Sequence, residues 1–595
     1  MPDELNMHVE KTMTTVDQYK FDEAKLIKGF PTLHWRGKRP FRSTQYFPAQ
    51  LKENHGEPVN DWMNKIFWGD NLQVMSHLLK EYRGKIRLIY IDPPFDSKAD
   101  YKKKISLRGH YVMNDHSSFE DKQYCDIWNN DEFLQFIYER LILCRELLSD
   151  DGSIFVHCDR HKQHLIRCVL DEIFGYSVEA NAPGLVNEIV WFYPDSPGRP
   201  NNRFAPKHDI IFWYSKTANR IFNVDDIKIP ILDASKERYK STRILINSQG
   251  KRFEYAANGD DDGLKIPETV WRIPVVKGNA NQATAYPTQK PEALLERIIK
   301  ASSSPGDIVF DCFMGSGTTQ AVAMKLGRRF IGADINLGAI QTTTKRLLAV
   351  AKELRGYLPE EGKILYTGFS VYNVNNYEVF RNPVEARDLL IKALEIQPLP
   401  GNILFDGEKD GRFVKIMPVN RIATKADLNE LISNFDYKAF EKAQAENPGK
   451  PVAHITLVCM GHEPDLAAAL QEQVQFKLDI EVLDILRDRS NLEFKRDSEA
   501  EIIKENGKLV IKQFYPMNLL QKLSLQRETL SDWREMVESV MVDFNYDGAV
   551  FEPSLLDVPE KNALVAGSYD IPVTAGIIRV KITDLLSESL EMEVR

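Results

Sequence analysis

The stretch Arg87-Leu88-Ile89-Tyr90-Ile91-Asp92-Pro93-Pro94-Phe95 decides the fold. A short apolar run ends in an acid and two prolines. It reads as a buried parallel strand whose carboxyl end opens into a loop. In an open α/β sheet, that end of a strand is where ligands bind.

The surrounding sequence keeps the same rhythm. Apolar positions recur at helical spacing over residues 131–148, then Asp150-Asp151-Gly152 turns the chain into a strand over 153–157. A second unit has a helix over 292–301, with Leu294, Leu295, Ile298 and Ile299 on one face, then Pro305-Gly306 and a strand over 307–311. Repeated βαβ units predict an α/β fold with a mostly parallel sheet.

The second strand runs into Asp311-Cys312-Phe313-Met314-Gly315-Ser316-Gly317-Thr318-Thr319. Gly315 and Gly317 permit close backbone approach to a ligand before a helix starts. A strand over 330–333 then ends in Asp334, placed to bind two ribose hydroxyls. The third glycine of GxGxxG is missing and no GK[ST] follows, so a nucleoside without phosphates suits the loop better than a dinucleotide or a nucleotide.

Composition sets the outer bounds. At 595 residues the chain should form two to four domains, at roughly 150 residues each. Hydrophobic residues at 43% and charged residues at 27% are those of an ordinary soluble protein, and no run of about 18 apolar residues could span a bilayer. A soluble, cytoplasmic protein is expected, with no membrane contact. The six cysteines show no CxxC pair, so no metal site is expected. A net charge of -9 excludes a generally basic nucleic-acid coat but leaves room for a local basic channel. Residues 102–104 and 235–243 carry basic runs that could track phosphates, although most such runs are solvated faces, and the basic patch at 35–42 lies in a polar N-terminal stretch that could order on a partner or be a flexible terminus.

The residue types at the first motif suit one chemistry. The lone pair of an exocyclic nucleobase amine is delocalised into the ring, so a site that uses it as a nucleophile must supply acceptors for its hydrogens. The Asp92 carboxylate and the Pro93 carbonyl can do so, while the two prolines fix the backbone and Phe95 offers a stacking face. Such a transfer requires neither a metal nor a covalent enzyme intermediate.

Together these motifs resemble the DNA amino-methyltransferases that use S-adenosylmethionine, and their order resembles the β group, which includes the modification subunits of type III restriction systems. The resemblance covers residues 66–347 and includes Tyr286-Pro287-Thr288-Gln289-Lys290-Pro291-Glu292, similar to the PTQKPE element of the family. It implies a Rossmann-like methyltransferase sheet. It implies that Asp92, Pro93, Pro94 and Phe95 hold the target base, and that Asp311, Phe313, Gly315, Gly317, Thr318 and Asp334 form the cofactor site. Lys290 would lie near the cofactor carboxylate, and Asp70 resembles the acid that meets the adenine amine of the cofactor; a turn with a helix cap explains Asp70 equally well. Cys312, where proline is usual, and Phe95, where tyrosine is common, depart from the family pattern.

The same resemblance implies that Asp92 before the two prolines favours N6-adenine over N4-cytosine, and either base must leave the helix to reach the methyl group. Trp191, Phe192 and Tyr193 are candidates for a second stacking wall or for a buried strand. The resemblance further implies double-stranded DNA as substrate and a restriction or helicase subunit as partner, and it is compatible with a homodimer. A methyltransferase acting on RNA or protein, or a DNA-binding subunit without activity, are the alternatives.

The expected division is an N-terminal arm over 1–58, a catalytic half over 59–215, a target-recognition insertion over 216–285 and a cofactor-binding half over 286–371. A C-terminal α/β domain over 372–545 and a small β module over 546–595 would follow. In the former, Asp484 with Glu493 and Lys495 has the loose D…ExK pattern of a metal-dependent nuclease, which is common by chance.

Overall fold

The computed structural model describes residues 18–21, 32–94, 100–106, 118–125, 130–176, 182–195, 202–230, 243–246, 252–255, 264–276, 282, 284, 288–355 and 364–374, and, with interruptions, 387–484 and 498–594. Phe95, Tyr286, Pro287, Glu493, Lys495 and residues 235–242 lie outside them, as do the side chains of residues 102–104.

Ten strands form the central sheet: β1 (Ala49–His55), β2 (Asn64–Trp68), β3 (Ile86–Ile91), β4 (Leu148–Cys158), β5 (Gly184–Phe192), β6 (His208–Ser215), β7 (Val270–Arg272), β8 (Ile308–Asp311), β9 (Arg329–Asp334) and β10 (Phe369–Val374). Their order across the sheet is β7-β5-β6-β4-β3-β8-β9-β2-β10-β1. The six strands from β4 to β10 in this order run parallel, whereas β6 is antiparallel to both its neighbours and β1 is an antiparallel edge.

Alternation along the central strands splits the core into two layers. Ile89, Ile91, Val156, Cys158, Phe310, Ile331 and Ala333 face α1 (Asn71–Tyr82), α2 (Asn130–Leu147) and α3 (Gln163–Phe174). Leu88, Tyr90, Phe155, Val309 and Phe330 face α4 (Glu292–Ser302), α5 (Thr318–Lys325) and α6 (Leu337–Arg355). The α4 face is the one read from the sequence, with Leu294, Leu295, Ile298 and Ile299 all fully buried. Helices on both faces explain why the central strands are apolar on both sides.

β3 and β8 are neighbours in the sheet although more than 200 residues separate them in the chain. From β3 the chain continues to β4 on one side, and from β8 to β9 on the other. This is a topological switch point, where the loops after adjacent strands part and leave a crevice.

The N-terminal region contributes to this domain. β1 closes one edge of the sheet, and Trp35 is buried, with its indole N–H donating to Gln135 Oε1 at 3.3 Å. Lys38 pairs with Glu172 at 2.8 Å and Arg39 with Glu139 at 2.9 Å, so these two members of the basic run at 35–42 are neutralised by acids of α3 and α2. In the region expected to recognise the target, the backbone forms a hairpin of Arg243–Ile246 with Arg252–Tyr255 and returns to the sheet as β7.

Beyond β10, the strands Gly407–Lys409, Arg412–Ile416, Ala453–Cys459 and Leu478–Asp484 form one sheet, covered by helices that include Leu428–Asn434 and Leu466–Glu472. From Glu499 the described elements are mostly strands. Val537–Asp543 pairs with Ile578–Asp584, so it belongs to the final sheet together with Ser589–Val594. This β unit docks on β1: Asn54 N donates to Phe551 O and Phe551 N to Lys52 O, each at 3.0 Å, and buried Lys581 pairs with Glu53.

Candidate active site

The carboxyl ends of β2, β3, β8 and β9 bring Asp70, Asp92, Asp311 and Asp334 to one edge of the sheet. Asp92 follows the last residue of β3 and is half-buried. Its Oδ2 accepts from Lys290 Nζ, and its Oδ1 is buried with no hydrogen-bond partner among the described residues. Lys290, the residue expected near the cofactor carboxylate, lies just before α4, on the face to which Tyr90 and Asp92 point.

The glycine loop is held by its own backbone requirements. Gly315 and Gly317 adopt φ of +50° and +69°, conformations that favour glycine. A Cβ on Gly317 would lie 2.5 Å from Thr343 Cγ2. Asp311 accepts from Phe313 N at 3.0 Å and from Thr319 Oγ1 at 2.6 Å. Asp334 accepts from Gly315 N and Asn336 N, both at 2.9 Å. Thr318 is buried, with its hydroxyl bonded to Arg346 at 2.9 Å, and Arg346 in turn pairs with Glu292 at 2.7 Å. Asp311 and Thr318 thus shape the loop from within, and Asp334 ties β9 to it.

Asp70 caps α1 by accepting from Leu72 N at 2.9 Å, and it also pairs with buried Arg140 of α2 at 3.0 Å. The Arg140 guanidinium lies 3.5 Å from the centre of the Phe136 ring, which in turn rests against Phe313. Asn71 Nδ2 donates to Cys312 O at 3.2 Å. One network therefore links the acid after β2 to the loop after β8.

Carboxylates outnumber cations here. Burial, opposed by the Thr319 and Phe313 hydrogen bonds and reinforced by Asp92 and Asp334, pushes the Asp311 carboxyl up to about 7. Desolvation likewise pushes Asp334 up to about 6 against hydrogen bonds from Asn336 and Gly315. Such a site favours a positively charged ligand over a phosphate.

Trp191 ends up in the core, with its indole N–H donating to Ile273 O at 2.8 Å. Phe192 ends β5, and Tyr193 is half-buried, its hydroxyl donating to Asp209 Oδ1 at 3.1 Å. Arg140, Arg346, His157 and Asp209 were missed by sequence reading. The last two had a signal, since each sits at the end of an apolar run, in FVHC and HDIIFW.

The family model described as DNA methylase matches residues 86–345, from the start of β3 into α6. The Type II methyltransferase M1.MboII of Moraxella bovis is 31% identical over 265 residues, covering 42% of this chain and 85% of that protein. The DNA adenine methyltransferase YhdJ of Escherichia coli (strain K12) is 30% identical, covering 47% of this chain and 82% of its own. Among solved structures, the cytosine-N4-specific PvuII DNA methyltransferase is 18% identical with a TM-score of 0.32, over 50% of this chain and 89% of that one. Matched across most of the length of such relatives, and with its acid-Pro-Pro loop preceding its glycine loop, the chain belongs to the DNA methylase family as a β-group DNA amino-methyltransferase.

Proposed function

We propose that the protein methylates the N6 amine of an adenine flipped out of double-stranded DNA, at a specific sequence, with S-adenosylmethionine as donor. The observation that carries this reading is the free, buried Oδ1 of Asp92 beside the glycine loop. A buried acceptor without a partner is costly, and an amine hydrogen would satisfy it.

The residues suit the cofactor. The loop from Asp311 to Thr318 gives close backbone approach, and the raised carboxyls of Asp311 and Asp334 would be relieved by a sulfonium. When bound, the cofactor supplies an electrophilic methyl group. The chain's own part is to hold the amine. Asp92 Oδ1 accepts one hydrogen and the Pro93 carbonyl the other, so the nitrogen lone pair points at the methyl group. As nitrogen gains the methyl group it loses one proton, which Asp92 Oδ1 is placed to take. Lys290 keeps Asp92 oriented throughout.

Adenine is favoured by the acid before the two prolines and by the name of one relative, a DNA adenine methyltransferase. Residues 216–285 would read the sequence, and the C-terminal units would dock a restriction or helicase subunit or a second copy of the chain. Three of the matched relatives, M1.MboII among them, are named Type II methyltransferases, which suits a role in restriction-modification or phage defence in the cytoplasm. Among the described residues, no helix is long and apolar enough to cross a membrane.

The test is modified-base sequencing of genomic DNA from methylation-deficient cells expressing the wild type or Asp92→Ala. N6-methyladenine in one motif, present only with the wild type, is expected. N4-methylcytosine would move the substrate to cytosine, and no modified base would overturn the reading.

A further inference from the structure

The connection between β5 and β6 leaves the sheet at the edge that holds the candidate site. Ile91 of β3 pairs with Val156 of β4, and Cys158, the last residue of β4, pairs with Ile210 near the start of β6. Because β6 runs against both β4 and β5, the end of β5 and the start of β6 lie beside the carboxyl ends of β3 and β4. Asp92, directly after β3, is therefore two strand spacings from β6, roughly 10 Å across the sheet. The neck of the connection is bonded shut at this edge. His208 pairs with Phe192, Tyr193 N donates to Lys207 O at 3.0 Å, and Lys207 Nζ donates to Pro194 O at 2.8 Å.

Beyond the neck, Asn202, Arg203, Phe204 and Ala205 are all exposed, and Phe204 is 99% exposed. A single exposed apolar side chain is ordinary on a protein surface. Here a whole phenyl ring is bare, forgoing all the free energy of burial, on a loop whose base is fixed. The four residues from His208 back to Phe204 reach at most about 14 Å, which sets the ring at the rim of the crevice. A wall that stacks on the flipped base would have to be recessed with that base. A projecting ring instead suits the duplex that the base has left.

Charge narrows the partner further. Arg203 is exposed beside the ring, and Arg160 is exposed just after β4 at the same edge, whereas Asp195, the described acid of the connection, lies on its opposite arm. Cations beside an aromatic ring fit phosphates flanking stacked bases. Extruding a base opens a gap between two flat, apolar base-pair faces, and an inserted apolar side chain can fill such a gap.

We propose that Phe204 is the wedge that enters the DNA duplex where the target base leaves, with Arg203 on the adjoining phosphates. This rests on the reading given under Proposed function. The ring takes no part in the transfer itself; it stabilises the opened duplex while Asp92 holds the base.

The test uses the full chain and a duplex carrying the motif mapped by sequencing, with methyl transfer measured at saturating DNA. Phe204→Ala should lower the rate about tenfold on the fully paired duplex, the size expected for one lost stacking contact. On a duplex whose target base is mismatched, extrusion costs little and no longer limits the rate, so the loss should shrink to less than about threefold. Phe204→Trp should keep most of the wild-type rate. Melting temperature and cofactor binding by calorimetry should match the wild type in both variants, because the ring is not packed in the fold. A wild-type rate in Phe204→Ala, or equal losses on the paired and mismatched duplexes, would overturn the proposal and leave the functional reading standing. A lowered melting temperature with weaker cofactor binding would also overturn it, by making Phe204 structural. If the wild type itself transferred no methyl group to either duplex, the functional reading would fall first, and this proposal with it.

Discussion

Lys290 Nζ is bonded to one oxygen of Asp92 across 198 residues of chain, and the other oxygen is buried and, among the described residues, unbonded. On the proposed function, the asymmetry would give one carboxylate two tasks: one oxygen anchors the side chain and the other accepts from the substrate. Lys290→Met removes the anchor and leaves an uncompensated charge near Asp311. A kcat at least about tenfold lower is expected, with Lys290→Arg less impaired. Steady-state transfer of tritiated methyl groups to DNA is the measurement, and equal rates for Lys290→Met and wild type would refute the assignment.

Gly317 is a tight point of the glycine loop. Gly317→Ala meets both a φ of +69° and Thr343 Cγ2 at 2.5 Å. The backbone penalty alone should be about 1–3 kcal/mol. Thermal melting should show a destabilised protein, and calorimetry weaker cofactor binding. Adding Thr343→Ala should relieve the clash but not the backbone strain, so recovery should be partial; full recovery would mean that φ carries no cost here.

Asp311 should make stability fall with pH. Its carboxyl titrates near 7 in the folded protein, raised from 3.8 mainly by burial. Between these values the folded state binds more protons than the unfolded state, so stability declines as pH rises from about 4 to about 7 and then levels off. The full effect is roughly 4 kcal/mol, at about 1.4 kcal/mol per unit. Asp311→Asn keeps an acceptor for Phe313 N but removes the titration. Its melting temperature should fall less between about pH 5 and pH 8, and parallel curves for the two proteins would contradict this.

Glu53 and Lys581 join the methyltransferase sheet to the C-terminal β unit. Burial acts to raise the Glu53 carboxyl, yet Lys581 and His55 together hold it well below the usual carboxylate range. Lys581→Ala leaves that charge with His55 alone at 2.9 Å and should cost about 3–5 kcal/mol. Glu53→Gln combined with Lys581→Met should cost less, since no charge is stranded. Limited proteolysis would show whether the β unit detaches in the single variant; an unchanged digestion pattern and melting curve would mean that other contacts carry the docking.

Much of the central domain was legible because its signals are local. The runs before Asp92, Asp311 and Asp334 form strands, and the helical spacing at 131–148 appears as α2, Asn130–Leu147. Ends shifted by a residue or two, since the last hydrogen bond of an element depends on its neighbours. β1 was not legible: Ala49–His55 reads AQLKENH, and an edge strand carries polar side chains without needing an apolar signature. Nor could the pairing of Lys38 and Arg39 be read, because their partners lie 134 and 100 residues away.

By itself the sequence determined the α/β class, the two loops that carry chemistry and their order, because Pro, Gly and short apolar runs act through backbone geometry within a few residues. Only the tertiary structure decided which groups meet. It set Lys290 on Asp92, Arg140 on Asp70 and His157 on Asp209, and it left one oxygen of Asp92 free. The physical reason is that sheet order, which makes β3 and β8 neighbours, is set by how all the layers pack together and not by any one segment.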